Sequence, residues 1–286
     1  MKPALLALIV VAASGAGAQW EAGPPCAAPL LAPESLDLAA AAPAAVGWPP
    51  ELEAALAANH ASGETGLCRG FAPGSLVRLH GRHLASRVWR RNAVRLSGHP
   101  LPAQIACEAG GCTVIRIGGV PAPILSLAPQ QAVVQVPWAA AGASAEVVVE
   151  TPGGSSAPVR IPLAPVQPGL YPRRISAGVC IPEDPLCDGF PRPGGLLELE
   201  GTGLGPVSPP AADGGGTGSG WHAVNGAVRV LLDGEPCAAA AAFLPGFTAG
   251  NYFVLVRLPA DLPPGRHRVR VMVEGEPSNA VEFDSR

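Results

Sequence analysis

One segment of the chain occurs twice, and this repeat constrains the fold more than any other feature of the sequence. Residues 73–84 read PGSLVRLHGRHL and residues 193–204 read PGGLLELEGTGL, an alignment without gaps. Three further landmarks recur in the same order. Gly119–Pro121 corresponds to Gly234–Pro236, and Val134–Pro137 corresponds to Val256–Pro259. Val147–Val149, followed by Ser156, corresponds to Val269–Val271, followed by Ser278. Low-complexity matches do not keep order and spacing in this way, so the chain contains a duplicated unit.

Each unit has the residue pattern of short β-strands. Val77 and Leu79 alternate with Arg78 and His80, and the second copy alternates in the same way. Alternation with a period of two predicts one face toward the core and one toward water. The 36 glycines and 34 prolines break up any long helix and supply frequent turns. The predicted fold class is all-β: two tandem immunoglobulin-like β-sandwiches after a signal peptide and an irregular N-terminal segment.

The sequence divides into five predicted segments. They are a signal peptide over 1–18, an Ala/Pro-rich segment over 19–70, a first sandwich over 71–168, a disulfide-bearing bridge over 169–190, and a second sandwich over 191–286. Pro49 to Asn59 should form one short helix, with Pro at its start and Asn near its end. Residues 211–220 (AADGGGTGSG) are rich in Gly and Ser and are predicted to be a flexible loop.

Two predicted sets of buried side chains follow from the alternation. In the first sandwich they are Leu76, Val77, Leu79, Val134, Val136, Val147 and Val149. In the second they are Leu197, Leu199, Val254, Val256, Leu258, Val269 and Val271.

The N-terminus has the three parts of a secretory signal. A short positive start precedes the apolar run Ala4–Ala13, and Ala16-Gly17-Ala18 is a small-x-small cleavage site. The apolar run is too short to span a bilayer. We therefore expect cleavage after Ala18 and a product secreted to the periplasm or outside the cell, with no membrane span. A net charge of −3 and a pI near 6.1 argue against a nucleic-acid partner.

Four stretches of the chain resemble a known family. They read FAPGSLVRLHGRHLA, GGVPAPILSLAPQQAVVQVPW, RPGGLLELEGTGLGPVSPP and LPGFTAGNYFVLVRLPADLPPG. They are similar to the Solibacter-type C-terminal domain of secreted bacterial proteins, whose halves resemble the IPT/TIG immunoglobulin-like fold. The resemblance implies this fold and an exported setting, and it implies no activity, because no reaction is assigned to the family. The arginine-rich segment and the loop with Cys107 and Cys112 depart from the family pattern.

Seven cysteines predict disulfides with one thiol left over, since an exported chain meets an oxidising environment. Sequence alone leaves many connectivities open. Proximity along the chain predicts the pairs Cys107–Cys112 and Cys180–Cys187, which leaves Cys26–Cys68 to hold the N-terminal segment. Cys237 is then the free thiol, in a small core position, because Ala122 stands at the matching place in the first unit.

The candidate binding site lies in an arginine-rich segment around a tryptophan. Its residues are Arg82, Arg87, Trp89, Arg90 and Arg91. Arginines beside an aromatic ring could bind an anionic polysaccharide or an acidic protein, with Trp89 stacking on a sugar ring. The same charges could instead form a solvated strand edge that discourages strand pairing. The sequence leaves both interpretations open.

Other motifs give no chemistry. Gly201–Gly205 lacks the spacing of a dinucleotide fingerprint and is better explained as a turn. His80 and His83 are three apart, which on a strand places them on opposite faces. No nucleophile, base and orienting group occur together, so we expect no enzyme activity, no metal and no cofactor.

Three function classes therefore remain at this stage. The first is a secreted, non-enzymatic immunoglobulin-like interaction or structural protein that binds an unknown protein or polysaccharide of the envelope. The alternative is a module that binds an anionic polysaccharide, and a hydrolase is a distant third. Exposed aromatic side chains on one face would favour sugar binding, and a deep polar pocket would favour an enzyme.

Overall fold

The computed structural model describes residues 48–53, 57–66, 69–90, 100–108, 111–177, 191–215 and 220–286. Within these ranges the regular elements are all β-strands, which form four antiparallel sheets. The predicted all-β sandwich fold is confirmed. No helix in the same ranges is long and apolar enough to cross a lipid bilayer.

The first sandwich consists of two six-stranded sheets. One sheet contains β1 (Glu51–Leu52), β2 (Ala58–Asn59), β3 (Leu76–Arg82), β4 (Trp89–Arg90), β8 (Ile124–Ala128) and β9 (Gln131–Gln135). The facing sheet contains β5 (Gln104–Glu108), β6 (Gly111–Ile117), β7 (Val120–Pro121), β10 (Ser144–Thr151), β11 (Gly154–Ser155) and β12 (Val159–Pro162). The orders are β1-β3-β9-β8-β4, with β2 beside β3, and β11-β10-β6-β5, with β12 beside β10 and β7 beside β6.

The second sandwich consists of a six-stranded and a five-stranded sheet. The larger contains β13 (Gly169–Ala177), β14 (Leu196–Thr202), β15 (Val207–Ser208), β16 (Trp221–Val224), β19 (Ala239–Pro245) and β20 (Tyr252–Arg257). The smaller contains β17 (Val228–Leu232), β18 (Glu235–Cys237), β21 (Gly265–Val273), β22 (Glu276–Pro277) and β23 (Val281–Ser285). The orders are β13-β14-β20-β19-β16-β15 and β18-β17-β21-β22, with β23 beside β21.

The duplication seen in the sequence reappears as the same strand pairing. The run β3-β9-β8 corresponds to β14-β20-β19, and β10-β6 corresponds to β21-β17. Even one side-chain contact recurs. The Ser156 hydroxyl accepts the backbone N–H of Val149 at 3.0 Å, and the Ser278 hydroxyl accepts that of Val271 at 3.0 Å. Equivalent residues therefore make equivalent contacts in the two units.

Each sandwich has its own apolar core, and all fourteen side chains predicted to be buried are buried. Thirteen of them belong to the two core clusters. Leu76 is the exception: it is buried outside the first core, against Gly250 of the second sandwich. Burial from both sheets of each sandwich supplies the main stabilising free energy of such a fold.

The predicted helix near residue 50 is wrong. In place of a helix, β1 pairs with the end of β3 and β2 pairs with its middle. Residues 54–56 lie outside the described ranges. The unpaired backbone N–H and C=O groups along the edge of β3 recruit this segment as short strands, and that non-local pairing overrides the local helix signals. The described part of the segment thus belongs to the first sandwich.

Two further boundaries differ from the prediction. Residues 169–177, expected in the bridge, form β13 and pair with β14 in the second sandwich. The described part of the expected flexible loop, residues 211–215, packs against the first sandwich. There the backbone N–H of Gly214 donates to Oε1 of Gln135 at 2.7 Å. Gly214 and Gly215 have φ of 80° and 60°, so these glycines permit a tight turn at a contact.

The outward face of β3 is also covered, contrary to the expectation that Arg78 and His80 face water. Arg78 is only 5% exposed and His80 is half-buried. The segment around His60 and the Tyr171 ring of β13 cover this face, with the His60 and Tyr171 ring centroids 5.6 Å apart. Loss of hydration lowers the pKa of the Arg78 guanidinium, and the nearby Tyr171 acts in the opposite direction.

Thr202 joins the two sandwiches through a buried hydroxyl. Its Oγ1 accepts the backbone N–H of Leu76 at 2.8 Å and donates to the carbonyl of Gly250 at 2.6 Å. Asn59 makes a second buried contact, from Nδ2 to the carbonyl of Gln167 at 3.0 Å. Polar groups in a dry junction must be paired, so these bonds fix how the units dock.

We expect Thr202→Val to lower the free energy of unfolding by about 2–4 kcal/mol. Valine has a similar shape but leaves the N–H of Leu76 and the carbonyl of Gly250 buried without this partner, at roughly 1–3 kcal/mol each. The measurement is urea denaturation followed by tryptophan fluorescence. Thr202→Ser is the matched control, because serine keeps the hydroxyl, and it should retain most of the stability. Equal stability of the valine and serine variants would contradict the role of the hydroxyl.

Candidate functional site

The structure places the predicted arginine-rich site at the end of β3 and in the segment that follows. Arg82 and Arg87 are exposed. Trp89 lies on the edge strand β4 opposite Leu127, and its half-buried side chain packs against the first core. The Arg90 side chain and all of Arg91 lie outside the described residues. Trp89 therefore has a packing role, and only part of its surface is open to a ligand.

The disulfide predicted between Cys107 and Cys112 is present and links β5 to β6. Cys237 is a free thiol on β18. It is half-buried against the second core, and its Sγ–H donates to the carbonyl of Arg257 at 3.1 Å. Burial raises the pKa of the Cys237 thiol, which makes it a poor nucleophile. Cys26, Cys68, Cys180 and Cys187 lie outside the described residues, so their pairing stays a prediction.

The glycine-rich segment 201–205 is a structural turn. Gly203 has a φ of 79° and lies directly on the backbone carbonyl of Gln167, where a Cβ would collide. The carbonyl of Gly205 accepts the hydroxyl of Tyr252 at 2.7 Å. Burial raises the pKa of this tyrosine. The close contacts of segment 201–205 are thus made within the protein, as expected for a structural turn at the junction.

The two histidines of the HxxH spacing also separate. His80 is half-buried, and burial, together with the positive charge of Arg78, lowers its pKa. The His83 ring instead stacks on Trp48, with centroids 6.3 Å apart and an angle of 26° between the planes. Within the described ranges, no group of three or more His, Cys, Asp or Glu side chains could hold a metal ion.

An aromatic cluster covers part of the outer face of the larger sheet in the second sandwich. Trp221 of β16 is 59% exposed and meets the Phe243 ring of β19 edge-on, with centroids 4.5 Å apart. Phe243 lies opposite Phe253 of β20, and these rings stack at 5.9 Å with planes 4° apart. Phe247 closes the cluster, 6.3 Å from Trp221. We call these four residues the aromatic face.

Strand alternation explains why these rings point outward. On β20, Tyr252, Val254 and Val256 are buried in the core, so Phe253 must lie on the opposite side of the sheet. The row continues to Glu200 of β14, which is opposite Phe253 in the register. Nδ2 of Asn251 donates to a carboxylate oxygen of Glu200 at 2.9 Å. The aromatic face thus ends at a carboxylate held by an amide.

Sequence reasoning missed the aromatic face because its rings are far apart in the sequence. Trp221 follows the Gly/Ser-rich loop, whereas Phe243 and Phe253 are on two later strands. The signal that was present is Phe253 itself, an aromatic residue at a solvent-side position of an alternating strand. Only the pairing of β16, β19 and β20 brings the rings together.

Comparison with solved structures gives neighbours at low similarity. The chain is similar to the extracellular region of plexin A4 (12% identity, 83% of this chain and 18% of plexin, TM-score 0.27). It is similar to the SGBP-B protein of a xyloglucan utilization locus in Bacteroides uniformis (11%, 82% and 48%, TM-score 0.25). It is also similar to the titin Ig tandem A164–A165 (9%, 76% and 93%, TM-score 0.22).

The chain thus spans less than half the length of the plexin and SGBP-B chains. At this level of similarity none of the three bears on ligand or activity. No protein-family model matches the chain, and no curated protein is similar to it.

The titratable pair His267 and Asp233 lies in the second sandwich, away from both candidate faces. His267 is buried, with Nδ1 at 2.7 Å from a carboxylate oxygen of Asp233 and Nε2 at 2.9 Å from the carbonyl of Pro263. Burial lowers the pKa of His267, but these acceptors on both ring nitrogens outweigh it, so the net pKa is raised. The hydrogen bond from His267 lowers the pKa of Asp233. Both ring nitrogens of His267 are thus hydrogen-bonded within the protein.

We expect this pair to stabilise the protein most at slightly acidic pH. Since the pKa of His267 is raised on folding, its contribution is complete below its ordinary value of 6.5 and is lost as pH rises through the folded pKa. The measurement is urea unfolding of the wild type and of His267→Gln at about pH 5.5 and about pH 8.5. The stability difference between them should shrink at the higher pH. Taking the difference cancels His80, which titrates in both proteins, and a constant difference would contradict the prediction.

Proposed function

We propose that this chain is an exported binding protein without enzymatic activity, and that its ligand is a polysaccharide held on the aromatic face. The observation that carries the proposal is the position of Trp221, a large ring that is more than half exposed and braced edge-on by Phe243. A soluble protein rarely exposes contiguous apolar surface without a use for it. Aromatic rings combine apolar area with low conformational entropy, which suits them to binding.

The chemistry around the rings favours a neutral saccharide there. The apolar C–H face of a pyranose ring can lie on an indole, and its hydroxyl groups need hydrogen-bond acceptors nearby. The Glu200 carboxylate, which can accept several hydrogen bonds, ends the aromatic row beside Phe253. The same carboxylate also repels an anionic ligand. A protein partner could use the same rings, and the binding experiment below separates the two.

Export and family membership are part of the same proposal. The signal over 1–18, with cleavage after Ala18, lies outside the described residues. The Cys107–Cys112 disulfide supports an oxidising compartment, because such bonds persist in secreted proteins and are rare in the cytosol. The resemblance to the Solibacter-type C-terminal domain and its IPT/TIG-like halves is likewise proposed, on the strength of the repeated strand pairing.

We expect Trp221→Ala to weaken binding of a neutral polysaccharide by about tenfold, since losing one stacked ring costs on the order of 1.5 kcal/mol. The measurement is isothermal titration of the mature protein against the best ligand found on a glycan array. Val88→Ala is the control, because Val88 is an apolar side chain that is 40% exposed on the first sandwich and no ligand contact is proposed for it. Equal affinity of the wild type and Trp221→Ala would rule out this face. Array silence together with capture of one envelope protein would favour the protein partner.

The arginine-rich segment remains a second candidate contact, for an anionic ligand. The exposure of Arg82 and Arg87 favours it, and neither makes an ion pair within the part of the chain that the structure describes. Arginine recognises carboxylates through paired, charge-assisted hydrogen bonds. Arg90 and Arg91 extend the positive segment along the sequence.

If this segment binds an anion, affinity should fall as salt rises, because exposed charges are screened over about 10 Å at 0.1 M ionic strength. Replacing Arg90 and Arg91 by Ala should lower affinity and flatten the salt dependence without changing the unfolding curve. The measurement is titration with an anionic polysaccharide at two salt concentrations. Wild-type binding that persists at high salt and in the double variant would exclude the segment.

A further inference from the structure

An exposed tryptophan, Trp48, lies at the end of β3, where Arg82 begins the arginine-rich segment. Trp89, the ring predicted from sequence, is half-buried against the first core, whereas Trp48 is 63% exposed. Trp48 stacks on His83, the residue that directly follows Arg82 at the end of β3. Pairing of β1 with β3 brings the N-terminal segment to this place, with Glu51 opposite Arg82. A residue from outside the repeat thus reaches the end of a repeat strand.

The backbone of Trp48 packs against the first sandwich. Its backbone lies on Gly153, in the turn between β10 and β11, so closely that a Cβ on Gly153 would collide with the carbonyl of Trp48. The neighbouring Pro49 packs over Gly154, within 3.7 Å of where its Cβ would be. The Trp48 ring itself stacks on the His83 imidazole. The indole is therefore supported at its backbone and at its ring while most of its surface faces solvent.

His83 itself has an uncommon backbone conformation. Its φ is 56°, in the left-handed region that a residue with a side chain seldom adopts. On a regular strand, residues 82 and 83 would point to opposite faces, and this turn interrupts that alternation. The chain leaves the strand here, and the imidazole lies against Trp48. Backbone strain of this kind is maintained only where surrounding contacts determine it.

We propose that Trp48 and His83, together with Arg82 and Arg87, form a binding site for a saccharide that carries carboxylates, such as a uronic acid polymer. The sugar ring stacks on the indole. Each arginine guanidinium donates a pair of hydrogen bonds to a carboxylate of the ligand. Glu51 and Glu53 are exposed nearby, so the site discriminates by the position of its charges and not by a large positive field. This inference rests on the anionic contact proposed above, and it names the aromatic residue and the ligand class.

The test uses the full mature protein and polygalacturonate, with its methyl-esterified form as a neutral probe of the same backbone. We expect Trp48→Ala to raise the dissociation constant for polygalacturonate about tenfold, equivalent to about 1.4 kcal/mol. Trp48→Tyr should restore most of the affinity, because it keeps a ring. The Arg82→Ala/Arg87→Ala variant should lose the salt-dependent part of binding.

Gly153→Ala gives an independent probe that substitutes none of the proposed contact residues. Gly153 has no positive φ, so alanine adds no backbone strain, and its main effect is to displace Trp48. It should weaken binding in the same direction as Trp48→Ala. Gly220→Ala is the matched control, because a Cβ there meets nothing within 4 Å. Unfolding curves of all variants exclude loss of the fold as the cause.

The outcomes separate the two levels of the proposal. If the double arginine variant weakens binding but Trp48→Ala and Gly153→Ala do not, Trp48 has no role and the anionic contact stands. If none of them changes binding, both are wrong. Equal affinity for the methyl-esterified polymer would overturn the anionic ligand. Equal affinity for poly-glutamate would show recognition of charge alone and overturn the saccharide.

Discussion

The junction between the two sandwiches determines which surfaces of this protein remain free, and it depends on the hydroxyl of Thr202. That group links the start of β3 in the first sandwich to the Gly250 turn in the second. Gly250, with a φ of 63°, lies directly against the first sandwich. A Cβ there would be 2.6 Å from the carbonyl of Gly74. The backbones of the two sandwiches are in direct contact here. The contact is therefore made by polar backbone groups, whose geometry is fixed.

The junction makes two similar units unequal. In the first unit the outer side of β3 is covered by the His60 segment and by Tyr171, and Arg78 is buried there. In the second unit the sheet built from the equivalent strands exposes Trp221 on its outer side. Duplication supplies two copies of one scaffold, and docking removes part of one copy from solvent. The two proposed contact regions therefore differ in composition, one aromatic and acidic, the other aromatic and basic.

The sequence predicted the cores far better than the candidate sites. Positions such as Val147 and Val269 could be assigned because alternation over a few residues directly reflects which side of a strand is buried. The sites depend on pairing between segments far apart in the chain. Trp48 lies in the segment that the sequence places outside the two repeats, and Trp89, a candidate for stacking on a sugar ring, packs on the core. Neither position follows from neighbouring residues, because each depends on which strand edge was free to pair.

The sequence by itself determined that this chain is a duplicated all-β protein with two cores and a Cys107–Cys112 disulfide, because each of these is encoded in residues close together or in a repeat that keeps its spacing. Tertiary structure decided the rest. The recruitment of β1 and β2 to the edge of β3 replaced a predicted helix, and the described part of the predicted flexible loop, residues 211–215, packs against Gln135. Periodicity distinguishes the two faces of a strand. What covers each face depends on the packing of segments that are distant in the sequence. The backbone groups of those segments need hydrogen-bond partners wherever water is excluded.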